Sequence, residues 1–167
     1  INTKNNRITS VTTDKGEIEC EIVVNAGGIY AAELGRLAEV RIPIIPMSHQ
    51  YLITENFLPD TAKFLPSLRD PDNLIYFRQE VKGLVMGGYE RNSKPFTATF
   101  NSYDQIPKDF NSKLLPDEWE RFEQIAENAA MRVPVMGEVG LKNFINGPEG
   151  FTPDNEFCLG ETSVGGF

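Results

Sequence analysis

The sequence has no apolar run approaching the roughly 18 residues of a membrane-spanning helix, and its first ten residues are too polar for a signal peptide. It has no basic run either. Its 16 Lys and Arg stand against 24 Asp and Glu, a formal net charge of -8, which sets aside nucleic acid and anionic membrane surfaces as partners. Cysteine is scarce: Cys20 and Cys158 lie far apart, with no CxxC pattern and no histidine beside either. They read as two reduced, buried thiols of a soluble, unexported protein rather than as a disulfide framework. With His49 as the single histidine, no metal site is expected, since zinc usually takes at least three protein ligands. There are no internal repeats, no initiator Met and no terminating element after Phe167, so the chain reads as a piece of a longer protein.

What is present suits an ordinary globular domain: 167 residues, 40% hydrophobic and 24% charged, enough for one core or two small ones. Residues 22–37, IVVNAGGIYAAELGRL, are the densest signal. Ile22, Val23 and Val24 form a β-branched run that suits a strand covered on both faces. Ala26, Gly27 and Gly28 let the backbone turn sharply and admit something large close by. A helix is expected next, with Tyr30, Leu34, Leu37 and Ala38 as its buried stripe. A strand ending in small residues at a helix start commonly holds an anionic cofactor, but it is also an ordinary tight turn.

Residues 7–13 and 17–22 alternate about Asp14, Lys15 and Gly16, a hairpin with Ile18, Cys20 and Ile22 on one face and Glu17, Glu19 and Glu21 solvated on the other. Pro43 and Pro46 keep the next stretch extended and argue against an interior ladder strand. In residues 47–54, period two puts Met47, His49, Tyr51 and Ile53 on one face and Ser48, Gln50, Leu52 and Thr54 on the other. Taken alone, His49 is either a structural strand residue or a catalytic one. Residues 57–73 read as loop with a helical turn near 61–65. Residues 74–79 and 84–90 form a second hairpin, in which Leu74, Tyr76 and Arg78 share a face. An arginine beside a tyrosine binds a carboxylate or simply lies on an exposed edge. Gly87 and Gly88 mark a bulge or a close approach. Residues 91–115 form a long excursion pinned by Phe96, Phe100 and Phe110. A helix is expected from Pro116, with Trp119, Phe122, Ala126, Ala129, Ala130 and Val133 buried and Pro134 as its stop. The tail returns to strands at 140–146, 151–155 and 157–159.

Five stretches, VVNAGGIYAAELGRLAEV, IPMSHQYLITE, NLIYFRQE, GLVMGGYE and FINGPEGFTPDNEFCLGE, stand in the order found in flavin-dependent dimethylglycine and sarcosine dehydrogenases. The chain resembles that group of the D-amino-acid-oxidase-like superfamily essentially end to end. The resemblance implies an α+β fold: a mixed or antiparallel sheet with helices packed on one side, plus partial flavin-domain strands. Residues 1–40 and 137–167 would be flavin-domain pieces and 41–136 the substrate-binding domain. It further implies His49 and Tyr76 as catalytic residues, with Arg78 and Tyr51 toward the substrate. Ala26, Gly27 and Gly28, and with them Pro153, Asp154 and Gly160, would lie against FAD. Tyr30 stands where a Trp is common in the family.

The implied parent is an FAD-dependent amine dehydrogenase or oxidase that demethylates a small N-methylated amino acid of the dimethylglycine or sarcosine type. It would be cytoplasmic, or in the mitochondrial matrix if eukaryotic. The GxGxxG loop of the family is not in this sequence, so this stretch alone is expected neither to retain FAD nor to turn over. Folate would enter only through a further domain. The alternative within the same family is a non-catalytic regulatory or interaction protein.

Overall fold

The computed structural model describes residues 1–96 and 105–167 and divides into two compact units. One comprises Ile1–Met47, Pro95–Asn111 and Glu149–Phe167; the other comprises Ser48–Lys94 and Ser112–Pro148. Phe100 lies outside the described residues.

The first unit opens with an antiparallel meander of β1 (Asn2–Lys4), β2 (Arg7–Thr13) and β3 (Gly16–Glu19). Thr13 pairs with Gly16 around Asp14 and Lys15, as the turn residues require, and Gly16 sits at φ 127°. Of the three glutamates expected to be solvated, Glu17 also accepts from the Ser10 hydroxyl and from Asn2 Nδ2. Ile18 is exposed with them.

Residues 22–24 are not the buried strand their composition suggests: Ile22 and Val24 are 68% and 81% exposed. A strand needs a ladder on at least one side, and here the Val23 N–H donates to Gly166 O at 2.8 Å without a continuing pairing. The neighbouring bonds, Ile8 N–H to Gly165 O and Gly165 N–H to Asn6 O, both 2.9 Å, tie the tail to the start of the chain. Ile8, Ala38, Val40, Val164 and Phe167 bury a small core around that junction.

The helix after the glycine turn begins with a 3-10 turn at Gly28–Tyr30 and continues as α1 (Ala31–Arg36). Its buried residues are Ala31, Ala32 and Gly35, with Ala38 beyond its end, while Tyr30 and Leu37 are exposed. The expected stripe is therefore rotated. Gly35 explains the rotation: a Cβ there would meet Val40 O at 2.7 Å and Ile42 Cγ1 at 2.6 Å, so the returning chain packs on the small residues.

The second unit is organised by a five-stranded sheet of order β5-β6-β7-β4-β8. Its strands are β4 (Ile45–Thr54), β5 (Leu68–Asp70), β6 (Ile75–Glu80), β7 (Gly83–Gly88) and β8 (Leu141–Phe151). β4 begins between the two prolines and alternates as period two demands, with Ser48, Gln50, Leu52 and Thr54 buried. β5 falls inside the stretch expected to be loop. β8 runs on through Gly147 and Pro148, where a turn was expected, because an edge strand loses no ladder bond to a proline.

Helix α2 (Trp119–Arg132) starts three residues later than Pro116, whose carbonyl instead accepts from Asn146 Nδ2 at 2.7 Å. It buries Phe122, Ile125 and Ala129 against Leu52, Ile75, Phe77, Leu84 and Met86. Trp119 stays half-exposed but stacks on Phe144 with centroids 3.9 Å apart. The helix stops at Val133, as Pro134 dictates.

The last turn of α2 is also fastened by charge. Arg132 Nε donates to Asp70 Oδ2 at 2.8 Å, and Asn73 donates to the same carboxyl from its side chain at 2.8 Å and its backbone at 3.2 Å. The Asn73 side-chain bond first, then its backbone bond and Arg132, hold the Asp70 carboxyl below the usual carboxylate value. A carboxyl depressed on folding contributes stability that is complete above its unfolded value of about 3.9 and is lost as pH falls through the folded value. Wild type should therefore be more stable than Asp70→Asn at neutral pH, and the two should converge as pH drops below about 4. Melting curves of both proteins from pH 7 to pH 2 check this; a gap that persists to pH 2 refutes it.

Beyond β8, which ends at Phe151, the tail turns at 153–155 and is irregular at 157–159, where strands were expected. Thr152 Oγ1 donates to Glu156 O at 2.6 Å, Asn155 takes φ 61°, and Phe157 and Leu159 point into solvent. Cys158 is consequently exposed and Cys20 half-buried, both free, rather than two buried thiols.

Candidate active site

Strand register brings the candidate side chains together. Tyr51 stands opposite Gly87, Gly87 opposite Tyr76, and Tyr76 opposite Arg69. Directly opposed residues of antiparallel strands share a face, so Arg69, Tyr76, Gly87 and Tyr51 form one row across four strands. His49 and Arg78, two residues from Tyr51 and Tyr76, lie on that face as well. The opposite face is the one sealed by α2.

The two glycines that end β7 serve one face each, and the β6–β7 register runs without a bulge. A Cβ on Gly87 would overlap the hydroxyl and ring of Tyr76, with Cε1 at 2.9 Å, so the ring lies directly on the backbone there. A Cβ on Gly88 would meet Leu74 O at 2.6 Å and Ile125 Cδ1 at 2.8 Å on the helix side.

Continuing the β4–β7 register places Tyr89 opposite His49, and their rings stack with centroids 5.1 Å apart and planes at 23°. Tyr76 completes a three-ring cluster, 5.9 Å from Tyr89 and 6.4 Å from His49. His49 Nε2 lies 3.0 Å from Gly88 O. A carbonyl only accepts, so this bond puts the hydrogen on Nε2 and fixes the ring's orientation.

Arg78 is accounted for within its own strand: Nη1 pairs with Glu80 Oε2, and its side chain is 56% exposed. Glu90 turns to the helix side, where Gln50 Nε2 donates to it at 2.8 Å and Arg121 Nη2 stands 3.7 Å away. Gln50, wholly buried, also accepts from the Glu118 N–H at 3.0 Å.

Two residues of the face were not singled out from sequence. Tyr89 was hidden at the end of its strand, and Arg69 sits in the stretch taken for loop. The Arg69 guanidinium carbon lies 5.7 Å from the Tyr89 ring centroid, within cation–π range.

The remaining candidates belong to the first unit. Asn25 shapes the glycine turn. Its Oδ1 accepts from Gly27 N–H at 3.2 Å and its Nδ2 donates to Ala31 O at 2.9 Å. Gly28 adopts φ 53°, and among the described residues nothing beyond its chain neighbours lies within 4 Å of where its Cβ would be. This turn meets the tail at Gly150, whose Cβ would stand 3.8 Å from Gly28 O. Asp154 accepts from Glu156 N–H at 3.1 Å, the bond that most lowers its carboxyl pKa, and Gly160 at φ 141° is open like Gly28. Tyr30 directs its hydroxyl to Phe110 O at 2.8 Å.

Among the described residues, no group of three or more His, Cys, Asp or Glu could hold a metal ion, and no helix is long and apolar enough to cross a membrane.

The second unit thus carries a five-stranded sheet with a helix on one face and a row of polar aromatic side chains on the other, an α+β arrangement. The chain belongs to the FAD dependent oxidoreductase family, which matches residues 1–167. It is 36% identical over 155 residues to mitochondrial sarcosine dehydrogenase of Mus musculus, covering 93% of this chain and 16% of that protein. It is 33% identical over 163 residues to the mitochondrial pyruvate dehydrogenase phosphatase regulatory subunit of Mus musculus, covering 96% of this chain and 18% of that protein. The fold matches the crystal structure of L-proline dehydrogenase from P. horikoshii with a TM-score of 0.74 at 23% identity, over 98% of this chain and 40% of that one. The chain thus spans less than a fifth of the length of these curated relatives.

Proposed function

We propose that this chain is the substrate-recognising part of a flavoenzyme that oxidatively demethylates a small N-methylated amino acid. The observation that carries the reading is the His49, Tyr76 and Tyr89 cluster on the sheet face turned away from α2. The FAD dependent oxidoreductase match and the sarcosine dehydrogenase relative support it. Ala26, Gly27 and Gly28, with Pro153, Asp154 and Gly160, would hold FAD; the open space at Gly28 and Gly160, where a side chain would stand, is compatible with a cofactor lying against the backbone there. When bound, FAD supplies the acceptor for the hydride that leaves the N-methyl carbon.

The chain's own residues then do three things. The Tyr76 hydroxyl, on a ring packed against Gly87, donates a hydrogen bond to the substrate. His49, oriented by Gly88 O and the Tyr89 ring, takes the proton of the substrate amine, because hydride leaves only when the nitrogen lone pair is available. Tyr51, in the same row as Tyr76, borders the substrate on the β4 side. The stretch on its own, lacking the family's phosphate-binding loop, is inactive.

The test uses the intact parent. Sarcosine or dimethylglycine added without oxygen should bleach the flavin bands. Tyr76→Phe should lower turnover by about 1–3 kcal/mol of transition-state stabilisation, roughly 5- to 150-fold. His49→Ala should lower turnover and move the acid limb of the pH profile. Bound flavin that no N-methylated amino acid bleaches would sink the enzymatic reading. It would favour the second one, an interaction protein like the phosphatase regulatory subunit that this chain also matches at 33% identity.

A further inference from the structure

We propose that Arg69, not Arg78, is the residue that binds the carboxylate of the substrate; the proposal rests on the reading above that this sheet face takes a small amino acid. The row Arg69, Tyr76, Gly87, Tyr51 sets Arg69 beside the tyrosine of the site, one strand nearer the edge. Four acids around the sheet are otherwise engaged. Glu80 pairs with Arg78, Asp70 with Arg132, Asp60 with Lys82, and Glu90 with Gln50 and Arg121.

Arg69 has no ion pair or hydrogen bond among the described residues and keeps its guanidinium over the Tyr89 ring. A guanidinium placed on an aromatic face is oriented, while its N–H edge, solvent-exposed at Arg69, stays available for the two oxygens of a carboxylate. Arg78 lacks both properties, because its own strand supplies its anion. Asp70, next in sequence, points to the other face and does not compete. The ligand class follows from the geometry: a small α-amino acid whose carboxylate is recognised at β5 and whose amine reaches His49.

The experiment is done on the intact, flavin-loaded parent with Arg69→Gln and Arg69→Lys. In Arg69→Gln, KM for sarcosine should rise roughly 10- to 100-fold with kcat changed far less, the range for losing a hydrogen-bonded charge partner. Arg69→Lys should recover part of the loss, since it keeps the charge and loses the fork. Acetate, titrated by NMR as a carboxylate without an amine, should weaken by the same factor in Arg69→Gln. Acetate binding that survives Arg69→Gln, or that wild type never shows, overturns the proposal; so does a KM effect found in Arg78→Gln and missing from Arg69→Gln. Loss of acetate binding in Arg69→Gln together with a wild-type flavin that no N-methylated amino acid reduces would uphold the carboxylate site and refute the demethylation reading alone.

Discussion

Replacing Gly87 by alanine is expected to cut turnover of the intact enzyme on the order of 100-fold, the scale for displacing a reacting-site group by about 1 Å. The added Cβ occupies the place of the Tyr76 hydroxyl and ring, so the ring has to leave the β7 backbone. Tyr76 is only half-buried and can swing outward, so the stability cost should stay near the ~1–3 kcal/mol of ordinary overpacking. A double-mutant cycle separates the two effects: made in a Tyr76→Ala background, Gly87→Ala should cost little further turnover, because the displaced ring is already gone. Additive losses would mean that Gly87 matters for another reason and that Tyr76 is not held by this contact.

Truncating Phe122 to alanine should destabilise the second unit by ~3–5 kcal/mol, the largest stability effect expected of a single substitution here. Phe122 is fully buried, meets Phe144 edge-on with centroids 5.0 Å apart, and lies in the same aromatic group as Trp119. It shares one buried cluster with Leu52, Ile75, Phe77 and Met86. Because those strand residues alternate with the His49, Tyr51 and Tyr76 face, the loss loosens the platform on which the site stands. Met131→Ala, on the same helix but exposed, should change stability by no more than about 0.5 kcal/mol. Denaturant unfolding followed by Trp119 fluorescence measures both. A Phe122→Ala midpoint indistinguishable from wild type would show that α2 is not what holds the sheet.

What the sequence by itself determined is what depends on neighbours along the chain. Period two assigned both faces of β4 and of β6, and with them put His49 and Tyr51 on one strand face and Tyr76 and Arg78 on another. Asp14, Lys15 and Gly16 located the first hairpin turn, and Pro134 stopped α2. The five ordered stretches carried the family, because sequence stores a family as local runs. What only the tertiary structure decided is which partner each run found. Val23 met Gly166 by a single backbone bond, so a run fit for a buried strand remained uncovered. Close approach of Val40 and Ile42 to Gly35 turned α1 onto its alanines. Residues 68–70 became a strand because β6 offered an edge. Glu90 turned to Gln50 and Arg121 rather than to Arg78, and register brought Arg69 and Tyr89 onto the face that carries His49 and Tyr76. Pairing between strands is set by the summed burial and hydrogen bonding of segments far apart in the chain, and no local pattern encodes it.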